Sequence, residues 1–245
     1  KAGEVLVKMC YVGYCGSGLN TYLGRNPMVK LPVIPGHEIG GEVTAVGEGV
    51  PASVKVGQTV TINPYTACGT CASCLAGRVN ACQFNETLGV QRNGAMSDYI
   101  VVPWQKVIPA EGISTRDAAL IEPMSVGFHA VDRAQVTDLD TVMVIGCGMI
   151  GVGAIVRAAL RGATVIAADI DDEKLALAKQ LGAKKSIARI DHNEYLEPNN
   201  KEMFIDMGID YLFYPERVAA KEVTHLLGHT TTTDYVDFSG GLLSL

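Results

Sequence analysis

From Glu4 to Met9 the chain alternates with the period of two that marks a strand, and residues 1 to about 110 are strand- and loop-rich. The pattern changes at Ser114-Thr115-Arg116-Asp117, where an N-cap residue is followed by an acid in the first turn. This opens a helix-rich bridge that runs to about Ala134. Thr141–Ile145 is a continuous β-rich apolar run, which predicts a fully buried parallel strand. Val152 to Arg161 then predicts a helix, and Thr164–Ala168 a second strand ending at Asp169. Further on, Ser186–Ile190 predicts a short strand, Asn200–Met207 a helix and Tyr211–Tyr214 a strand. Helical periodicity returns between Glu216 and Leu227 through Val218, Val223, Leu226 and Leu227. The polar run Thr230 to Thr233 predicts a loop, and Tyr235 to Leu245 a terminal strand pair. The α/β alternation is the only repeat visible.

Length and composition narrow the class. The 245 residues suit one large domain or two modest ones, and 48% hydrophobic against 19% charged residues can fill a core, which excludes a wholly disordered chain. A net charge of −6 offers no basic footprint for nucleic acid or an anionic membrane. The longest uncharged apolar run, Val142 to Val156, is 15 residues broken by four glycines, short of the roughly 17–25 a membrane span needs. The chain begins at Lys1 with no signal-peptide apolar stretch, so a cytoplasmic protein trimmed at its N-terminus is expected.

Four of the seven cysteines fall within fifteen residues: Cys68, Cys71, Cys74 and Cys82, spaced C-x2-C-x2-C-x7-C. Their loop carries few large side chains, so a closed tetrahedral zinc site would supply the support that a core does not. Two disulfides are the alternative, which the expected cytoplasmic location disfavours. With four thiolates the zinc would have no open position, and its role would be structural.

Other candidate ligands lie apart. Cys15 opens Cys-Gly-Ser-Gly-Leu-Asn, Pro35-Gly36-His37-Glu38 sets a histidine beside a carboxylate, and Glu122-Pro123-Met124-Ser125 starts a helix-like stretch. Singly they read as a small hydrophobe, a surface pair and a helix-start charge. Together they form a mixed S/N/O set suited to a zinc that keeps a position open.

In Gly146-Cys147-Gly148-Met149-Ile150-Gly151 a strand precedes and a helix follows, and Asp169 ends the next strand eighteen residues past Gly151. Glycines there allow a tight turn and close approach of a pyrophosphate to a helix N-terminus. Asp169 would accept hydrogen bonds from the ribose hydroxyls of NAD and repel the 2′-phosphate of NADP. Cys147 is expected to pack. His129, His192, His225 and His229 lack persuasive metal spacing and read as surface or packing residues, and Arg189 as a solvated strand-end charge.

The order Cys-Gly-Ser, Gly-His-Glu, four-cysteine loop, Glu-Pro-x-Ser and Gly-x-Gly-x-x-Gly resembles the zinc-dependent medium-chain alcohol and polyol dehydrogenases over residues 1 to about 183. Within them it is most similar to the sorbitol, threonine and galactonate branch, through Glu122–Gly127 and Leu88-Gly89-Val90-Gln91-Arg92-Asn93-Gly94-Ala95. The resemblance implies a β-rich GroES-like catalytic domain over 1–113, a helical bridge over 114–137, and a Rossmann-type doubly wound parallel sheet, complete or hybrid, over 138–245. It implies that Cys15, His37 and Glu122 hold a catalytic zinc, that Glu38 is an alternate ligand, and that Ser17 passes the alcohol proton outward. Pairing of copies through the nucleotide domains is common in the family, so a homo-oligomer is expected.

Two positions depart from the family pattern. Gly18 stands where an Asp usually orients the zinc-bound histidine, a type of support that contributes about 10–100-fold in affinity or activity. Asn20 stands at the usual relay histidine and takes up no proton near neutral pH. Both predict slow turnover. After about Gly182, residues 184–245 resemble instead the RCK-type NAD-binding regulatory subunit of bacterial potassium uptake systems, as in a chimera joined near 175–185. By that resemblance Arg189 would reach a bound pyrophosphate. The expected function is zinc-dependent hydride transfer between a secondary alcohol of a polyol or sugar acid and NAD. The alternative is a non-catalytic NAD(H)-binding regulatory module whose partner is a potassium-transport membrane subunit.

Overall fold

A computed structural model describes residues 1–228, 237–238 and 243–244, and the chain divides into two compact units, Lys1–Val126 and Gly127–Leu245. Among the described residues no helix is long and apolar enough to cross a membrane.

The first unit runs β1 (Glu4–Gly13), α1 (Gly16–Tyr22), β2 (Glu38–Val46), β3 (Thr59–Ile62), β4 (Tyr65–Thr66), α2 (Ala72–Leu75), β5 (Glu86–Thr87), β6 (Tyr99–Pro103), β7 (Val107–Pro109), α3 (Thr115–Ala118) and α4 (Ile121–Arg133), the last continuing past Val126. Five of these strands form an antiparallel sheet in the order β6-β1-β2-β3-β7, while β4 and β5 pair apart from it. The expected alternation holds: Val5 and Val7 are fully buried with Ile39, Val43, Val60 and Ile62. The strand runs on past Met9 to Gly13, and its register slips at Cys10, so that Met9 faces Gly41 and Tyr11 faces Gly40. One extra residue in a strand is a β-bulge, which bends the strand and re-aims the residues beyond it. A compensating slip lies earlier, where Leu6 faces Ala45 but Val7 faces Val43, so the bulge at Cys10 restores the first offset and Gly13 stands opposite Glu38. The predicted N-cap is formed, Ser114 Oγ accepting from the Asp117 N–H at 3.1 Å.

The second unit continues with β8 (Thr141–Ile145), α5 (Met149–Leu160), β9 (Thr164–Asp169), α6 (Asp172–Gln180), β10 (Lys185–Arg189), α7 (Pro198–Asp206), β11 (Tyr211–Phe213) and α8 (Pro215–Gly228). The four strands are parallel, in the order β11-β10-β9-β8. Helix α5 begins three residues before the expected Val152, since Gly148 already serves as its N-cap. The expected terminal strand pair is present as β12 (Asp237–Phe238) and β13 (Leu243–Ser244), antiparallel, while the expected Thr230–Thr233 loop, His229 and the side chain of His225 lie outside the described residues.

Among the described residues this sheet is wound one way only, the incomplete form of the doubly wound arrangement. Each strand adds on the same side of its predecessor, and right-handed crossovers then fall on a single face. Accordingly Val144, Val165, Ala167, Ser186 and Ala188 are buried, and all but the serine pack with Ile155 of α5, Leu175 of α6 and Phe204 of α7. The opposite face is open, with Met143 52% and Ile145 81% exposed. The expectation that Thr141–Ile145 is buried throughout is therefore corrected. Its apolar run is continuous, but only alternate residues meet a helix layer.

Candidate metal and dinucleotide sites

Cys15, His37 and Glu38 each offer a ligand atom within 4.8 Å of the others. The β1–β2 register does most of this work, because the ends of the paired strands carry Gly13 and Glu38 face to face. A side chain at 13 is excluded: its Cβ would stand 2.0 Å from Glu38 Oε2 and 2.8 Å from Glu38 Cβ. Two residues beyond Gly13, Cys15 is the N-cap residue of α1, where its half-buried thiol makes no cap hydrogen bond. Ser17 lies in that helix's first turn, half-buried, its carbonyl accepting from Thr21 Oγ1 at 3.0 Å; Asn20, further along, is exposed.

The turn before His37 is clamped by the loop Leu88–Ala95. Gly94 N–H donates to the Ile34 carbonyl at 2.6 Å, Ala95 N–H to Gly36 at 3.0 Å and Met96 N–H to Pro35 at 3.0 Å, while Asn93 Oδ1 accepts from Ile34 N–H at 3.0 Å. Backbone meets backbone so closely that a Cβ on Gly94 would stand 2.3 Å from the Gly36 oxygen. The motif that carries the family resemblance is thus the support of the histidine turn.

Among the described residues His37 Nδ1 is buried without a hydrogen-bond partner, and nothing lies within 4 Å of where a Cβ on Gly18 would stand. Burial holds the Glu38 carboxyl above its ordinary value; His37 opposes the shift, Glu122 adds to it and a hydrogen bond with Cys15 opposes it. Glu122 stands outside the trio, in the first turn of α4, where its Oε1 accepts the Tyr65 hydroxyl at 3.0 Å. Burial, with Glu122 beside it, pushes the Tyr65 phenol up to about 12, so it stays a donor. A buried nitrogen without a partner beside a thiol and two carboxylates suits a divalent cation, and the S, N and O donors match zinc.

The four loop cysteines also converge, their sulfurs all within 4.8 Å. All seven cysteines are free, and the Cys68–Cys74 and Cys71–Cys82 sulfurs stand 4.0 and 3.9 Å apart, about twice a disulfide's length of ~2.05 Å. The two-disulfide alternative is not formed. Backbone N–H groups point at the sulfurs instead: Cys68 and Phe84 donate to Cys82 Sγ, and Cys71 to Cys68 Sγ, each at 3.3 Å. N–H donors from Thr70 and Cys71 lower the Cys68 thiol to about 6, whereas burial lifts Cys74 to about 12. Four thiols at such separations would hold a zinc with no open position.

In the second unit β8 ends in the expected glycine turn. Gly146 has φ +89°, and a Cβ on Gly151 would stand 1.9 Å from the Gly146 oxygen. Met149 and Ile150 form the first turn of α5, partly exposed, with the first N–H groups of the helix free by geometry. Asp169 ends β9 and holds the turn: one carboxylate oxygen accepts from Cys147 N–H, the other from Ile170 and Asp171 N–H at 2.7 and 3.0 Å. Beside it a cavity of about 660 Å³ is lined by Met143, Ile145 and Ile187 on the uncovered face of the sheet and by Gly146, Asp169 and Arg189 at the strand ends. It extends from that bare face to the carboxyl ends of the strands, the edge at which open α/β sheets bind ligands. Cys147 packs as expected, 2% exposed, its thiol pushed up to about 11 by burial. Arg189 pairs with Glu216 at 3.4 Å and stays half exposed, and His129 and His192 are exposed.

Three features of these sites carry no signal in the sequence that spacing or periodicity detects: Tyr65, the bare Gly13, and the clamping role of Leu88–Ala95. Tyr65 lies in Asn63-Pro64-Tyr65 just before the cysteines, and no spacing rule links it to Glu122, 57 residues on.

Residues 1–112 match the alcohol dehydrogenase GroES-like domain family. The chain is 41% identical over 166 residues to the L-galactonate-5-dehydrogenase of Escherichia coli (strain K12), a match covering 68% of this chain and 48% of that protein. It is 40% identical over 216 residues to the sorbitol dehydrogenase of Bacillus subtilis (strain 168), covering 84% of this chain and 60% of that one. The crystal structure of galactitol-1-phosphate dehydrogenase from Escherichia coli superposes with a TM-score of 0.70 at 34% identity, over 87% of this chain and 61% of that one. The chain therefore spans about half to three fifths of the length of these relatives. The 84% match also reaches past residue 183, where the likeness was expected to end.

Proposed function

Because the chain belongs, over the length it shares with these relatives, to the zinc-type medium-chain alcohol and polyol dehydrogenase family, we propose that it serves zinc-dependent, NAD-linked oxidation of a secondary alcohol on a polyol or sugar acid. The observation that carries this reading is the convergence of Cys15, His37 and Glu38 within 4.8 Å, with Glu122 beside them, in the unit that also gathers four cysteine sulfurs.

Cys15, His37 and Glu122 would hold the catalytic zinc with Glu38 as alternate ligand, and Cys68, Cys71, Cys74 and Cys82 the structural one. When bound, zinc supplies a Lewis acid that lowers the proton affinity of an alcohol oxygen, and NAD supplies the hydride acceptor. Ser17 Oγ receives the alcohol proton and passes it to water, because Asn20 has no basic nitrogen to take it onward. His37, with no acceptor at Gly18, is oriented by the clamp on its turn alone. Asp169 is held by three N–H groups before any nucleotide arrives, aligned for ribose hydroxyls and repelling a 2′-phosphate. The N-terminal turn of α5, with Gly146, Gly148, Met149, Ile150 and Gly151, would receive the pyrophosphate. Residues 1–113 would act as the zinc-binding domain, 114–137 as a bridge and 138–245 as the nucleotide domain. Seven unbridged thiols fit a reducing, cytoplasmic setting. No observation favours the potassium-uptake alternative.

The test is NADH formation, followed by absorbance, across a panel of polyols and sugar acids, together with zinc per chain. Activity that disappears in Cys15→Ser, and about two zinc per wild-type chain, are expected. A wild-type chain that forms no NADH from any of them overturns the reading.

A further inference from the structure

The first unit holds a contact that the dehydrogenase reading does not use. Tyr65 is fixed through its backbone on every side: its N–H donates to Asn63 Oδ1 at 3.0 Å, its carbonyl accepts from Lys106 Nζ, and it pairs with Thr87 across β4 and β5. That strand pair closes the cysteine loop, since the chain leaves β4 at Thr66, passes Cys68, Cys71, Cys74 and Cys82, and returns at Glu86. From this base the Tyr65 phenol reaches Glu122 at 3.0 Å. It is the one hydrogen bond that the Glu122 carboxylate receives among the described residues. Ser125 Oγ, one turn on, donates to the Glu122 carbonyl at 2.6 Å and leaves the carboxylate alone.

We propose that Tyr65 is a positioning residue for Glu122, and that through it the four-cysteine lobe supports the open metal site. The proposal rests on Cys15, His37 and Glu122 forming a zinc site. Its physical basis is the cost of holding a carboxylate still. Glu122 has three side-chain torsions and, among the described residues, no salt-bridge partner, and a fixed phenol donor holds it beside the Cys15–His37–Glu38 trio before the metal binds. Gly18 gives His37 no acceptor and the Leu88–Ala95 clamp holds only its turn, so the Tyr65 hydroxyl is the outer support that reaches the Glu122 side chain itself. Partners of this kind contribute about 10–100-fold in metal affinity.

The test is zinc release from the full chain to a chromophoric chelator, comparing wild type, Tyr65→Phe, Glu122→Gln and the double variant. Tyr65→Phe removes only the hydroxyl and keeps the ring. One zinc of two is expected to leave about ten-fold faster or more, the other unchanged, and the double variant to lose zinc no faster than Glu122→Gln alone. With cobalt in the open site, the visible bands should shift in Tyr65→Phe. Two zinc ions retained as in wild type with an unaltered cobalt spectrum, or additive effects in the double variant, overturn the proposal. A wild-type chain carrying a single zinc overturns the open-site reading itself, and the proposal with it.

Discussion

Replacing Gly94 by alanine tests how the histidine turn is built. The new Cβ would stand 2.3 Å from the Gly36 oxygen, 2.7 Å from the Gly89 Cα and 2.7 Å from the Pro35 oxygen. All three are backbone atoms, so no flexible side chain can swing away. Ordinary contact needs a displacement of about 1 Å, and three N–H···O bonds cross the same gap. Overpacking costs about 1–3 kcal/mol, and losing one or two of the bonds about 1 kcal/mol each, which together come to roughly 2–4 kcal/mol. For a unit of this size that lowers the midpoint by roughly 10 °C. The assay is thermal unfolding followed by fluorescence of Trp104, the chain's one tryptophan, which packs against the first unit's core and so reports on that unit. Zinc per chain is measured on the same samples, and the expected loss is from the open site while the cysteine site keeps its ion. Gly18→Ala is the control, since its Cβ enters open space in a helix and should hold or raise the midpoint. A Gly94→Ala midpoint within about 2 °C of wild type, with both zinc ions retained, would refute the clamp.

Four further outcomes are expected. Gly18→Asp offers an acceptor on the helix that carries Cys15 and should tighten the open-site zinc about ten-fold, read by chelator competition. Cys68→Ser should lose one zinc, counted by elemental analysis, and the loop 67–85 should become protease-sensitive. Asp169→Ala removes the acceptor of three N–H groups and should weaken NADH binding by about ten-fold while narrowing the preference over NADPH, read by fluorescence titration. Asp210 carries a pH dependence. Burial raises its carboxyl, but hydrogen bonds from Lys179 and Ser186 outweigh that and hold it below the ordinary aspartate value. A depressed folded value stabilises the fold above the unfolded pKa of about 3.9, and the contribution fades as pH falls through the folded value. Asp210→Asn should therefore cost about 1–2 kcal/mol in urea unfolding near pH 7 and approach wild type in acid; a difference that stays constant with pH would refute this.

Much that depends on neighbours in the chain was legible in the sequence, although helix α1 and helix α6 with its Asp171 cap, equally local, were not read from it. The C-x2-C-x2-C-x7-C loop brings its sulfurs together whatever surrounds it, because short segments have few ways to close. The glycine turn between β8 and α5, the acid at the end of β9 and the Ser114 cap are local in the same sense. Tertiary structure decided what depends on register and winding. Gly13 meets Glu38 through a β1–β2 register that slips at Thr44 and slips back at Cys10, and a one-residue slip exchanges the faces of a strand. Tyr65 finds Glu122 across 57 residues, and Gly94 finds Gly36 across a backbone contact that no periodicity records. Winding likewise decided that Ile145 is exposed. Its apolar run specified a strand, whereas the side on which the next strands were laid determined which face the helices cover.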